Sequence, residues 1–431
     1  LLTATTIAQL SQRLREPAWL TELRTRSFQR YGELPWPHAS DEVWRRTDVT
    51  QLDPMRGFQL PQEPGLLQSV TVSQQHLAQI TAPLEGESLS VRSDGAWISR
   101  QVPEGVVLAD LSQAAQTHAD VIRPLLEADG LTSAEQKLTG LNAAFHHDDC
   151  FLRIPPDTQV ARPLRLIRLI QARPQHAYFP LTVIVVGRGS SVVLIDEYIG
   201  LTAQGAEQPH VINSRLELIV EPGACVHYIR IQRWDRQAHE FLLQRATLQE
   251  GAKLVTVNIN MGAQLSKTHA IVRLLGPQAE SRLYGFVFGH GRQHVDQHTL
   301  QDHQAPHTFS DLLYKAALKD RSRMIYTGLI RIATAAKQTN AYQANHNLLL
   351  GREAKAETIP MLEILADDVQ CKHGATIGPV DEEQLFYLTT RGIPRELAER
   401  LLVMGFVEPI IEQIPVEALR QRLREELEGN L

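Results

Sequence analysis

Thiols are scarce in this chain. Three cysteines, Cys150, Cys225 and Cys371, stand among 431 residues, and an odd, sparse set builds no disulfide framework. It fits a reducing compartment, and it falls short of the four thiolates of an ordinary iron–sulfur cluster held by one chain. Aromatic residues are also few, 6% against 43% hydrophobic, so a core must be built from aliphatic side chains. Long apolar runs are missing. The longest, Tyr178 to Val186, is about half of the ~20 residues that span a bilayer. No basic stretch followed by an apolar one opens the sequence, so no secretory signal is visible, and Leu1 leaves room for a start further upstream. With a net charge of −6 the chain lacks the basic excess of a broad nucleic-acid-binding face. Motifs are absent too. Gly187–Ser191 has no lysine and Ser266-Lys267-Thr268 no preceding glycine, so neither is a phosphate loop. GxSxG, HExxH and CxxC do not occur. An ATPase, a serine hydrolase or a zincin thereby has no support in the sequence, and if nucleotide hydrolysis matters here a partner supplies it. What remains is a soluble, intracellular protein of two to four domains.

Three textures follow one another along the chain. Residues 1–150 read as mostly helical. Ile7, Leu10, Leu14 and Leu20 to Leu23 predict an amphipathic helix after Thr3–Thr6, broken by Leu34-Pro35-Trp36-Pro37. Ser88–Ser99 predicts a hairpin turning at Asp94-Gly95. Helices are expected over Asp110–Glu127 and Thr132–Phe145, the second with a capping box of Ser133 and Gln136. Residues 151–378 lose helical periodicity. Val185–Ile195, Ile219–Ile229 and Thr247–Val257 each read strand, glycine turn, small residue, strand, with glycines at 189, 223 and 251. Gln278-Ala279 before Ser281–Phe288 is a degenerate fourth copy. A recurrence of that kind is a solenoid signature, because one coil cannot bury its apolar face alone. A β-sandwich is the competing arrangement. Residues 379–431 return to helical spacing, with Pro394 opening a helix, Gly405 ending it, and a charged last helix from Val416. These helices are expected to cap the solenoid's open edges.

Two clusters carry metal-binding chemistry. In Gly289–His298, continuing to His303 and His307, period-two alternation puts His294, Asp296 and His298 on one face of a strand, a donor set for zinc or ferrous iron. The competing reading is a polar outer face with Val295 inside. Cys371 and His373 likewise share a face in Leu365–Thr376, a soft thiolate beside an imidazole. Alternatively, Cys371 is a small buried residue. His146-His147-Asp148-Asp149, at a junction, reads as a polar loop.

Longer stretches resemble a known family. Asp320–Arg323, Tyr326–Gly328, Gln338–Gln343, Asn347–Leu350, Pro360–Ile364, Asp367–Val369, His373–Thr376, Asp381–Gly392 and, near the start, Glu42–Thr47 are similar to SufB/SufD proteins of iron–sulfur cluster assembly. Within that family the chain looks like SufD. SufB carries a cysteine where Asn345 stands and a glutamate where Gly374 stands. The resemblance implies a right-handed parallel β-helix flanked by N- and C-terminal helical regions. It implies a non-catalytic scaffold in the bacterial cytosol or a plastid stroma, paired with a SufB-like paralogue and docking a SufC-like ABC ATPase, or a homodimer when isolated. ATPase contact is expected within Asp381–Glu412, at Gln384, Phe386, Tyr387, Arg391, Gly392, Leu401 and Phe406. His373, with Cys371 beside it, is expected at the SufB interface where a cluster is built. No cofactor is expected to be held stably by this chain alone. A cluster or iron would be transient at the interface, and flavin is left undecided. The other classes open to the sequence are a β-helix enzyme acting on carbohydrate and a metal-dependent enzyme using His290–His307.

Overall fold

The computed structural model describes residues 2–61, 81–127, 133–202 and 208–431. From Asp148 to Pro379 it is built of strands. Leu164–Ala172, Ser191–Thr202, Cys225–Arg233, Lys253–Asn260, Glu280–Gly289, Phe309–Leu318, Asn340–Leu349 and Gln370–Pro379 lie side by side in that order as sheet I. Asp148–Ile154, Pro180–Val186, His210–Val220, Ala238–Leu248, Leu265–Leu274, His294–His303, Arg323–Ile332 and Lys355–Ile364 form sheet II. The chain alternates between the sheets and each pairs in parallel, so about eight coils stack as a β-solenoid. A sandwich, with its antiparallel sheets, is thereby excluded.

Alternation along the strands sorts the side chains. Val226 and Leu254 in sheet I, with Leu218 and Val272 in sheet II, are fully buried in one interior stack. Each buried aliphatic side chain contributes about 1.5–3 kcal/mol, and Tyr228, Tyr314 and Tyr326 add aromatic bulk to the same stack. The corner between coils needs a left-handed residue. Gly189, Gly223 and Gly251 supply it with φ of 65°, 68° and 61°. The same corner continues through Gln278, His307, Gln338 and Asp368 at φ between 55° and 60°. The repeat therefore runs on after its glycine marker stops.

Helices cover the outer faces. One N-terminal helix is expected, but two form, α1 (Ala4–Leu14) and α2 (Ala18–Glu33), because Pro17 interrupts the periodic run. Then come α3 (Leu111–Thr117), α4 (Ala119–Glu127) and α5 (Ser133–Phe145). The expected capping box of Ser133 and Gln136 rests on the Ser133 side chain, which lies outside what the structure describes. Leu20, Leu111 and Ile122 pack on Leu181 and Val183 of sheet II. Ser88–Ser93 and Ala96–Ser99 form the expected hairpin, with Asp94 and Gly95 at positive φ. Ser88–Ser93 joins the edge of sheet I, and Val107–Ala109 pairs antiparallel with Asp148–Ile154, so both sheets extend into residues 1–150.

Of His146-His147-Asp148-Asp149, only the two histidines form a connecting loop, while Asp148 and Asp149 begin sheet II. All four are buried, with His146 Nδ1 2.8 Å from Asp149 Oδ2 and the nearby Arg24 guanidinium held by Glu16. Burial would raise the Asp149 carboxyl, but His146 and Arg92 overturn this and hold it down at about 2.

At the other terminus are α6 (Glu382–Thr390), α7 (Arg395–Ile411) and α8 (Glu417–Asn430). They do not cap the solenoid. Val403, Val407 and Leu423 lie against Ile229, Val257 and Phe286 on the outer face of sheet I. This packing also carries α7 through Gly405 and Pro409 to Ile411, past the expected stop, since tertiary burial outweighs a weak local propensity. An ionic anchor fixes α8. The buried Glu197 carboxylate meets Arg165 at 2.6 Å, Arg233 at 2.5 Å and Arg422 of α8 at 2.8 Å.

Candidate functional site

The last coil ends both sheets. Lys355–Ile364 and Gln370–Pro379 each pair on one side only among the described residues. Met361, Leu362, Ile364, Leu365 and Ile377 stand exposed there, Leu365 by 59%. Unpaired backbone groups beside apolar side chains form an edge that soluble proteins ordinarily blunt, so an uncovered one marks a contact surface.

Cys371 and His373 lie on this edge, on the inward face. Cys371 stands above Ala341, packs toward Ile330, Ile332 and Ala336, and is half-buried. Burial raises its thiol pKa, so the neutral thiol prevails until a cation or metal draws off the proton. His373 stands above the fully buried Gln343, yet is exposed because no further strand among the described residues covers it. The pair offers one sulfur and one nitrogen donor at the mouth of the solenoid. Among the described residues no group of three His, Cys, Asp or Glu could hold a metal. Two donors fall short of a full coordination sphere at this mouth.

Asn345 and Gly374, the two positions read from the sequence as departures from SufB, lie close by. Asn345 is buried inside the solenoid, its Nδ2 donating to the Tyr314 carbonyl at 3.2 Å. Gly374 lies on the edge strand itself, where a Cβ would meet Tyr342 Oη at 3.5 Å, so a side chain would fit there.

The histidine stretch is dispersed. Its strand is ten residues long, about 33 Å at the usual rise. His307 occupies a corner turn, and His303 is buried inside, within 2.8 Å of both Thr308 and Ser310. His294, Asp296 and His298 do share the outer face, but Lys267 sits among them. Its Nζ is 2.5 Å from Asp296 Oδ2 and 3.0 Å from His298 Nε2. Burial would raise the Asp296 carboxyl, yet Lys267 and His298 hold it well below the usual carboxylate range. Burial lowers His294 and His298 to about 4, so both imidazoles stay neutral. An ammonium stands where an ion would need to sit, and the trio does not fit a metal. Lys267 is the residue that sequence reasoning passed over. Its signal was a lone lysine inside a strand, Leu265–Leu274, and only the register between strands brings it to the histidines.

The expected ATPase-contact residues divide. Gln384, Phe386, Tyr387, Arg391, Gly392 and Leu401 are exposed on α6, its following turn and α7, with Phe386 71% and Tyr387 56% open. Phe406 instead turns to the solenoid, where Lys315 Nζ lies 4.7 Å from its ring and donates to its carbonyl. It is an anchor of α7 and not part of the exposed patch.

Fold and site together define a parallel β-solenoid whose last coil keeps one edge open among the described residues, with a helical hairpin projecting apolar side chains. The family model described as SUF system FeS cluster assembly, SufBD core domain, matches residues 169–406, and the SufBD protein N-terminal region matches 91–166. The chain belongs to the SufBD family. An iron–sulfur cluster assembly SufBD family protein of Staphylococcus epidermidis (strain ATCC 12228 / FDA PCI 1200) is 25% identical over 446 residues, 100% of this chain and 94% of that protein. One from Staphylococcus aureus (strain MRSA252) is 26% identical over 452 residues, with the same coverage. Among the described residues no helix is long and apolar enough to cross a membrane.

Proposed function

We propose that this chain is a SufD-like, non-catalytic scaffold subunit of a complex assembling iron–sulfur clusters in the cytosol. It pairs through its last coil with a SufB-like paralogue and docks a SufC-like ABC ATPase on the exposed face of α6 and α7. The observation that carries the reading is the uncovered edge of Lys355–Ile364 and Gln370–Pro379, with its exposed apolar residues and the Cys371/His373 pair. A thiol and an imidazole can supply one or two ligands to a nascent cluster, the substrate of the complex, while the paralogue supplies the remaining thiolates. The residues at the SufB-distinguishing positions, Asn345 and Gly374, favour the supporting role. ATP-driven approach of two ATPase subunits would move α6 and α7 and bias the paired edges between two states.

Affinity purification of the native full-length chain tests this. Recovery of an ABC-type ATPase together with a cysteine-bearing paralogue is the expected result. A chain that elutes alone and cleaves glycans overturns the proposal.

A further inference from the structure

Glu42–Thr47 has no part in the unpaired edge or in the α6–α7 patch, yet it is tied across sheet II. Phe241, Lys267, Asp296, Ile325 and Glu357 form one register column through five adjacent strands. At ~4.8 Å per strand the column spans about 19 Å. The segment runs down it. The Trp44 ring lies 6.0 Å from that of Phe241, and the Val43 carbonyl accepts from Lys267 Nζ at 2.8 Å. Thr47 Oγ1 donates to Asp296 Oδ2 at 2.5 Å, and Arg46 Nε donates to Glu357 Oε2 at 2.9 Å. Glu357 belongs to the edge strand, and its other oxygen accepts from Arg323 on the neighbouring strand at 2.5 Å.

The two attachments differ in kind. Thr47 and Asp296 are buried, 2% and 1% exposed, so that end is fixed. The Arg46–Glu357 pair is about two-fifths open, so it adds little to global stability. A terminal coil touches a neighbour on one side only and opens at low cost. A strap fixed on the inner coils and resting on the outermost strand suits the task of setting that strand's position.

We propose that Glu42–Thr47 is a strap holding the last coil in its docking position, with Arg46 the positioning residue for Lys355–Ile364 and Thr47 its buried anchor. The docking part rests on the pairing described under Proposed function.

Hydrogen exchange on the full-length chain, without any partner, is the test. In Arg46→Ala the amides of Lys355–Ile364 exchange about three- to tenfold faster than in the wild type, while those of Ser191–Thr202 are unchanged. Arg46→Lys keeps the charge and returns the rate to within about twofold of wild type. Affinity for the SufB-like paralogue falls in Arg46→Ala and recovers in Arg46→Lys. Equal exchange at the edge strand in Arg46→Ala and wild type overturns the strap. So does an acceleration shared evenly with Ser191–Thr202, which marks general destabilisation. Faster edge exchange with unaltered paralogue affinity overturns the docking role. If the wild type binds no paralogue, the pairing proposal fails on its own, and the exchange result still decides the strap.

Discussion

At its first coil the solenoid is closed, and at its last coil the same architecture is left open. The Ser88–Ser99 hairpin and Val107–Ala109 finish the sheets with antiparallel pairs, and α2 to α4 seal them with apolar and ionic contacts. Arg92, Asp148, Asp149 and His146 are all buried there, tied to one another within 3.2 Å. The last coil shows exposed Leu362, Ile364 and Ile377, strands paired on one side only among the described residues, and a half-buried thiol beside an open imidazole. The chain evidently can cover a sheet edge, since it does so at one end. The edge left uncovered at the other end is where the proposed paralogue would pair, and on that proposal its residues answer to pairing more than to stability.

Substitutions inside the finished body should therefore cost stability, and substitutions at the open end should cost function. Glu197→Ala leaves Arg165, Arg233 and Arg422 without their shared carboxylate and is expected to destabilise by about 3–5 kcal/mol, read from denaturant unfolding. Acid acts on the same body. Burial holds His147, His294, His298 and His303 at about 4, against 6.5 ordinarily, so the unfolded chain binds more protons between those values. Their contribution is whole above pH 6.5 and is lost as the pH falls toward 4, about 1–3 kcal/mol per histidine. Unfolding midpoints from pH 7.5 to 4.5 check it, and a flat profile would contradict it. Leu362→Asp at the edge should change stability by less than about 1 kcal/mol while abolishing co-elution with the paralogue. His373→Ala is expected to shift stability by no more than about 0.5 kcal/mol.

Much of this division was legible in the chain. The glycine turns at 189, 223 and 251 announced the coils, and scarce aromatics agreed with an aliphatic stack. Later corners were harder to read because Gln278, His307, Gln338 and Asp368 take the left-handed turn without glycine. Period-two alternation placed Cys371 with His373, and His294 with Asp296 and His298, correctly on common faces. It could not reveal that Lys267 arrives from the neighbouring strand, because that contact depends on register between coils far apart in sequence. Nor could it place α7 and α8 on the outer face of sheet I, since Val403 and Val407 would look alike covering an edge or a face.

The central claim is that the open end contributes ligands to a cluster completed by another chain. Anaerobic cluster reconstitution on the intact complex, comparing wild type with His373→Ala, addresses it directly. A lower cluster yield with unchanged subunit composition and unfolding midpoint is the predicted result. Full cluster formation in His373→Ala, with the complex intact, would contradict it.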